Sequence, residues 1–412
     1  MRKTPSVYRL QGKVQHYAWG GYKFIPQLLG IPENGQPHAE YWLGAHPAQP
    51  AEVDVHGVLK KLNEWIEGKK ESVLGGRVAD AFGSLPYLLK VLDVRQMLSI
   101  QVHPDKASAA AAFEEENRKG VPLNAPHRNY KDANHKPELM VALSDFWLLH
   151  GFKPEAQLIE SLSANPDFDF LTHIFENEGY KGLYQHVMTM PDADANAVLQ
   201  PLVDRLLPLY ENGELMKESE DFWAARAAHT YCKNGRLDRG IFSIYFFNLV
   251  HLKKGEGIYQ PAGLPHAYLE GQNVEIMATS DNVLRAGLTD KHIDIEELIK
   301  HVRFEPTEPR VLPDAAVQEN VYNSSAAEFE LHRIQLQKGE VFMVTATTAE
   351  TVLVLEGAAT LQADGIEITV KKGEAALITA GTDLQIQGTS ATQLFRATVP
   401  DVENRATESG IG

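Results

Sequence analysis

The chain has 412 residues, 43% of them apolar and 23% charged, a length beyond what one hydrophobic core organises and a composition that excludes disorder, so two or three globular domains are expected. Lys and Arg total 39 against 55 Asp and Glu, a net charge of −16 that argues against a nucleic-acid or anionic-membrane surface and requires any phosphate ligand to sit in a local basic pocket. The single cysteine, Cys232, excludes an internal disulfide and a thiolate metal cluster; residues 1–14 carry no signal-like apolar core and no later stretch approaches a membrane span, so a cytoplasmic protein is expected, and a monomer is the accompanying expectation.

From Pro86 the run PYLLKVLDVRQMLSIQVHP is apolar and breaks at a His-Pro turn, which predicts buried strands; Phe146 to Phe152 reads the same way. After Pro154 the pattern turns helical. Val198, Leu199, Leu202, Val203, Leu206, Leu207 and Tyr210 recur on one helix face, with Pro201 and Pro208 expected to kink that helix or shift its start. A further helix is predicted over 218–233, burying Phe222, Trp223 and Ala227. Strand character returns at Gly240 with GIFSIYFFNLVHL. KKGEGIYQPAGLPHAYLEG from Lys253 and KKGEAALITAGTDLQIQG from Lys371 form a weak repeat of strand, small-residue turn and strand, which resembles the cupin motif of a jelly-roll barrel. Only the first copy carries a histidine, His266, after its turn.

Four short segments carry residues suited to chemistry. Gln101 and His103 are two apart in an extended run, so both side chains share a face and can reach one ion. Asn134-His135-Lys136-Pro137-Glu138 packs a base, a cation and a carboxylate ahead of an apolar strand, where polar groups are costly unless paired or used; a solvated loop with a surface ion pair is the alternative. His266 follows a turn set by Pro261, Gly263 and Pro265. Together Gln101, His103, Glu138 and His266 offer two imidazoles, a carboxylate and an amide oxygen, a set that suits zinc with an open position and equally manganese, iron or cobalt. Arg285, in SDNVLRAGLT, offers a permanent charge for an oxyanion or a phosphate, unless it is merely paired with Asp281.

YAWGG from Tyr17, AEYWLGAHP from Ala39, LSIQVHPDK from Leu98, NHKPEL from Asn134, PAGLPHAYLEG from Pro261 and SDNVLRAGLT from Ser280 together resemble the type I mannose-6-phosphate isomerase family over most of the chain. Ala133 stands where that family often has proline. The resemblance implies a mainly β fold of two cupin (jelly-roll) barrels with an inserted helical domain: a metal-binding catalytic cupin domain over 1–153 and 236–315, a helical insertion over 154–235, and a C-terminal cupin-like domain over 316–412. It implies one zinc ion per chain on Gln101, His103, Glu138 and His266, a catalytic Arg285, and pocket residues Trp19, Lys90, Ser99, Lys136, Asp281 and Lys291.

The implied activity is the interconversion of mannose 6-phosphate and fructose 6-phosphate, feeding GDP-mannose and glycan synthesis or mannose catabolism. Such a reaction moves a proton between neighbouring carbons while charge builds on the sugar oxygens, which a metal and Arg285 would stabilise. Glu275, Lys136 and His135 are the candidate proton carriers, because buried carboxylates and lysines can be tuned toward neutrality, and Glu275 is favoured among them. Two rivals stand beside this reading: a metal cupin of another chemistry, such as an iron oxygenase, and a non-catalytic sugar-phosphate sensor.

Overall fold

The computed structural model describes residues 6–233 and 235–401. The fold is mainly antiparallel sheet with a cluster of helices at one side. A ten-stranded sheet is built on Tyr87–Val94, whose eight residues are all buried and which admits only Lys90 and Asp93 as charged members. This strand lies between Glu40–Gly44 and the 13-residue strand His266–Ala278. The long strand also pairs with Glu138–Ala142, Phe146–Phe152 and the short Gln101–Val102, which in turn pairs with Leu284–Arg285. One strand therefore pairs with every segment in which the sequence places site residues, apart from the N-terminal Trp19 and the segment carrying Asp281, Arg285 and Lys291.

Between the sheet strands Phe146–Phe152 and Phe247–Leu252 the chain is helical, with Glu155–Ser163, Asp169–Thr189, Asp192–Glu211, Glu220–Tyr231 and Gly240–Phe246. Leu199, Leu202, Val203 and Leu206 are buried on one face of Asp192–Glu211, and both Pro201 and Pro208 lie inside this helix. The break falls elsewhere, at Gly179, whose φ of 64° and ψ of −164° interrupt Asp169–Thr189. Trp223 is fully buried and donates its indole N–H to the Lys217 carbonyl at 2.7 Å. The expected strand at Gly240 is corrected: Gly240–Phe246 is a helix, and the strand starts only at Phe247. All seven helix residues are buried, so the run lacks the polar face that separates a 3.6-residue period from a two-residue one.

The two repeat copies each form strand, turn and strand, as Gly257–Gln260 with His266–Ala278 and as Ala375–Ile378 with Thr382–Gly388. In each copy the two strands pair with others rather than with one another. The C-terminal strands build an eight-stranded and a four-stranded sheet. The eight-stranded sheet also takes in the first strand among the described residues: Val7–Gln11 lies between Ala375–Ile378 and Glu52–Val55, with Val7 opposite Ile378. Among the described residues no helix is long and apolar enough to cross a membrane.

Candidate functional site

Strand register assembles the site. His150 lies opposite His266, His266 opposite Gln101, and Gln101 opposite Arg285. Directly opposed residues share a sheet face, so these four side chains form one row across four strands. A second row, farther along the long strand, sets Glu275 against Lys90 and Lys90 against Trp42.

His103, Glu138 and His266 are buried, and a donor atom from each lies within 4.8 Å of the other two. His266 Nε2 lies 3.1 Å from one Glu138 oxygen, and the other oxygen is 3.4 Å from His103 Nε2 and 2.8 Å from Lys136 Nζ. The Nδ1 atoms are occupied elsewhere: His103 Nδ1 meets the Asn282 carbonyl at 2.9 Å and His266 Nδ1 the Leu264 carbonyl at 2.9 Å. Each carbonyl needs a donor, which places the proton on Nδ1 and turns the Nε2 lone pair toward Glu138. His103 Nε2 is a buried nitrogen without a hydrogen bond. Burial pushes the His103 imidazole down to about 4, which keeps that lone pair available. Burial alone would raise Glu138, but Lys136 and the two histidines outweigh it and hold the carboxyl well below its ordinary value. Two imidazoles and a carboxylate converging in a buried space fit a divalent ion, and Gln101 stands opposite His266 in the strand register.

Beside this group opens a cavity of about 670 Å³. Trp19, Lys90, Ser99, Gln101, Lys136, Asp281, Arg285 and Lys291 all line it. The pairing of Arg285 with Asp281 that the sequence left open is not found; Asp281 is held by His46 Nε2 at 3.2 Å, a bond that lowers its carboxyl, and among the described residues the Arg285 guanidinium has no carboxylate partner. Burial lowers Arg285, and burial together with Arg285 lowers Lys291, so two incompletely solvated cations face the same space. Such a pair favours an anion between them.

The loop from Arg285 to Lys291 is pinned from behind. The Asp238 carboxylate accepts the backbone N–H groups of Gly240 at 2.7 Å, Leu288 at 2.8 Å and Thr289 at 3.1 Å. Leu288 is held at φ 53°, and Gly287 at φ 121° passes so close that a Cβ there would lie 2.5 Å from Gly240 Cα.

Glu275 does not line the cavity. It sits behind Lys90, 3.2 Å from Nζ, and accepts from Tyr268 at 2.8 Å. Burial raises its carboxyl, Lys90 offsets this in part, and Glu138 adds to the rise. Lys90 is in turn raised, because Glu40 and Glu275 outweigh its desolvation. His135 faces away from the cavity and binds Glu328 at 2.7 Å. Glu40, Trp42, His46, Asp238, Tyr268 and Asn282 went unnoticed in the sequence. Glu40 and Trp42 carried a usable signal, being two apart in a strand-like segment already singled out.

The fold and site define a mainly β protein with a metal-competent histidine–glutamate group opening on a cation-lined cavity. The model of the catalytic domain of type I phosphomannose isomerase matches residues 7–155. The mannose-6-phosphate isomerase of Salmonella typhimurium is 36% identical over 391 residues, covering 91% of this chain and 95% of its own. The human enzyme of that name is 31% identical over 432 residues, covering 96% and 99%. Among solved structures, a zinc-bound mannose 6-phosphate isomerase aligns with a TM-score of 0.85 at 34% identity, covering 96% of this chain and all of the other. The Salmonella typhimurium enzyme bound to fructose 6-phosphate and zinc aligns with a TM-score of 0.84 at the same identity and coverage. The chain belongs to the type I mannose-6-phosphate isomerase family.

Proposed function

We propose that this chain interconverts mannose 6-phosphate and fructose 6-phosphate at one zinc ion held by His103, Glu138, His266 and the Gln101 amide oxygen. The observation that carries this reading is the orphaned His103 Nε2, aimed with His266 Nε2 at one buried carboxylate beside a cavity with unpaired cations. When bound, the ion supplies a positive charge that polarises the sugar oxygens. Arg285 and Lys291 receive anionic oxygen, Arg285 where charge develops and Lys291, with Ser99, at the phosphate. Trp19, stacked on Tyr17 at 5.9 Å between ring centres, offers an apolar face to the sugar.

The reaction removes a proton from C2 of the open-chain aldose to leave an enediolate, returns a proton to C1, and shifts the O2 hydroxyl proton to O1 as the C2 carbonyl forms. Lys136 is the candidate carrier with direct access, because it lines the cavity while Glu275 is sealed behind Lys90 and His135 faces elsewhere. This assignment departs from the sequence preference for Glu275. Glu275, with Glu40, then serves to hold Lys90 on the wall, and Asp281 to fix His46.

The domain division is proposed as 1–153 with 236–315, 154–235 and 316–412, with residues 1–5, 234 and 402–412 lying outside the described residues. The repeated strand–turn–strand units support two cupin barrels within it, and the strand Val7–Gln11 crosses the division by joining the C-terminal sheet. A cytoplasmic monomer belongs to the same reading, and light scattering of the purified chain tests its size. The decisive experiment couples fructose 6-phosphate formation from mannose 6-phosphate to elemental analysis. Activity that vanishes with zinc on chelation and returns on adding zinc is expected; undiminished turnover by zinc-free protein would sink the proposal.

A further inference from the structure

Glu328 lies in the segment leading into the C-terminal strand Glu330–Leu336, far from the cavity in sequence and outside its lining. Its side chain is buried, and one oxygen, Oε1, takes two partners: His135 Nε2 at 2.7 Å and Lys106 Nζ at 3.2 Å. Both partners stand three residues from a proposed metal ligand, Lys106 after His103 and His135 before Glu138. The His103 segment and the Glu138 segment come from separate parts of the chain, and Glu328 bridges the outer ends of both. Inside, the same two segments are joined by His103 and Glu138 themselves, 3.4 Å apart. Lys106 is largely exposed, so its share is small; the part-buried bond to His135 carries most of the restraint.

We propose that Glu328 is a positioning residue for the metal centre, by which the C-terminal half clamps the loops that present His103 and Glu138. The inference rests on the reading that these residues hold zinc. Outer hydrogen bonds of this kind set ligand orientation, and their loss weakens metal affinity while leaving the ligands in place. A purely structural ion pair would instead lower global stability without a selective effect on the metal.

Zinc affinity of the full chain, measured by competition with a chromophoric chelator, tests this alongside the thermal midpoint of the zinc-free protein. E328A is expected to weaken zinc binding by roughly tenfold or more, H135A by a similar factor, and the double variant by no more than either alone. E328Q, which keeps an acceptor for His135, is expected to restore part of the affinity. R396A, which breaks the remote pair of Arg396 with Glu350, serves as a control that lowers the midpoint and leaves zinc affinity unchanged. The inference is overturned if E328A binds zinc within about twofold of the parent, if the double variant loses the product of the single effects, or if R396A weakens zinc equally. Should E328A not fold, H135A carries the test, and parent-like zinc affinity in it overturns the inference. H103A distinguishes the two levels: parent-like zinc binding by H103A removes the metal assignment itself, whereas loss in H103A with retention in E328A removes only the role of Glu328.

Discussion

Replacing Arg285 by alanine separates transition-state stabilisation from structure, because the surroundings of this residue make the two costs very different. The guanidinium is half-buried, has no carboxylate partner among the described residues, and leaves no buried acid uncompensated when removed, since Asp281 is already held by His46. The stability cost is then limited to lost packing of the side-chain stem, under about 1 kcal/mol, or a shift of about 2 °C in Tm. In the reaction, a donor aimed at developing negative charge is worth about 2.7–4 kcal/mol, which corresponds to about a hundredfold to a thousandfold in kcat. R285A is therefore expected to fold, to hold zinc, and to turn over at a hundredth of the parent rate or less. R285K, which keeps charge but not the planar fork, should fall between them. Steady-state kinetics in the coupled assay, with zinc content and Tm measured on the same preparation, provide the check. An unchanged kcat with a raised KM would make Arg285 a ground-state phosphate ligand, and a fall in Tm worth several kcal/mol would make it structural; either result refutes the reasoning.

K136M is expected to abolish exchange of the substrate C2 hydrogen with solvent, whereas E275Q should lower kcat while exchange remains detectable; the reverse order would return the proton to Glu275. D238A removes the acceptor for three backbone N–H groups behind the Arg285–Lys291 loop and should lower kcat/KM by roughly tenfold or more with zinc content unchanged, as read by kinetics and elemental analysis. His332, wedged between Glu319 and Glu330 at 2.8 Å each, is opposed by burial but raised above its ordinary 6.5 by those carboxylates. Its contribution to stability is thus full below about pH 6.5 and is lost as pH rises through the raised folded value. H332Q should flatten the drop in denaturant midpoint between about pH 5.5 and about pH 8.5, and an identical drop in parent and variant would contradict the assignment.

The sequence made individual elements legible wherever burial was one-sided or a strand ran unbroken, as in Asp192–Glu211 and Tyr87–Val94. It failed at Gly240–Phe246, where burial on all sides erased the period. The site residues could be named because each stands in a short segment of unusual chemistry, and their convergence could not, because it depends on register. Nothing in the spacing of Gln101, His266 and Arg285 says that they stand in one row; antiparallel pairing of three distant strands puts them there. The same limit hid Asp238 and Glu328, ordinary acids whose partners are main-chain amides or a histidine far along the chain. The demotion of Glu275 likewise needed the position of Lys90, which only the paired strands reveal.

The pairing of Val7–Gln11 with Ala375–Ile378 bears on how the chain comes into being. Val7–Gln11 is synthesised about 370 residues ahead of Ala375–Ile378, so until that partner emerges this strand has one side open to whatever else is nearby. A product released before Ala375 never acquires that neighbour, however complete its zinc ligands and cavity are. Such a fragment holds every proposed site residue yet presents an unpaired edge to chaperones and proteases, which makes the closing of this sheet a checkpoint on synthesis through Ala375–Ile378.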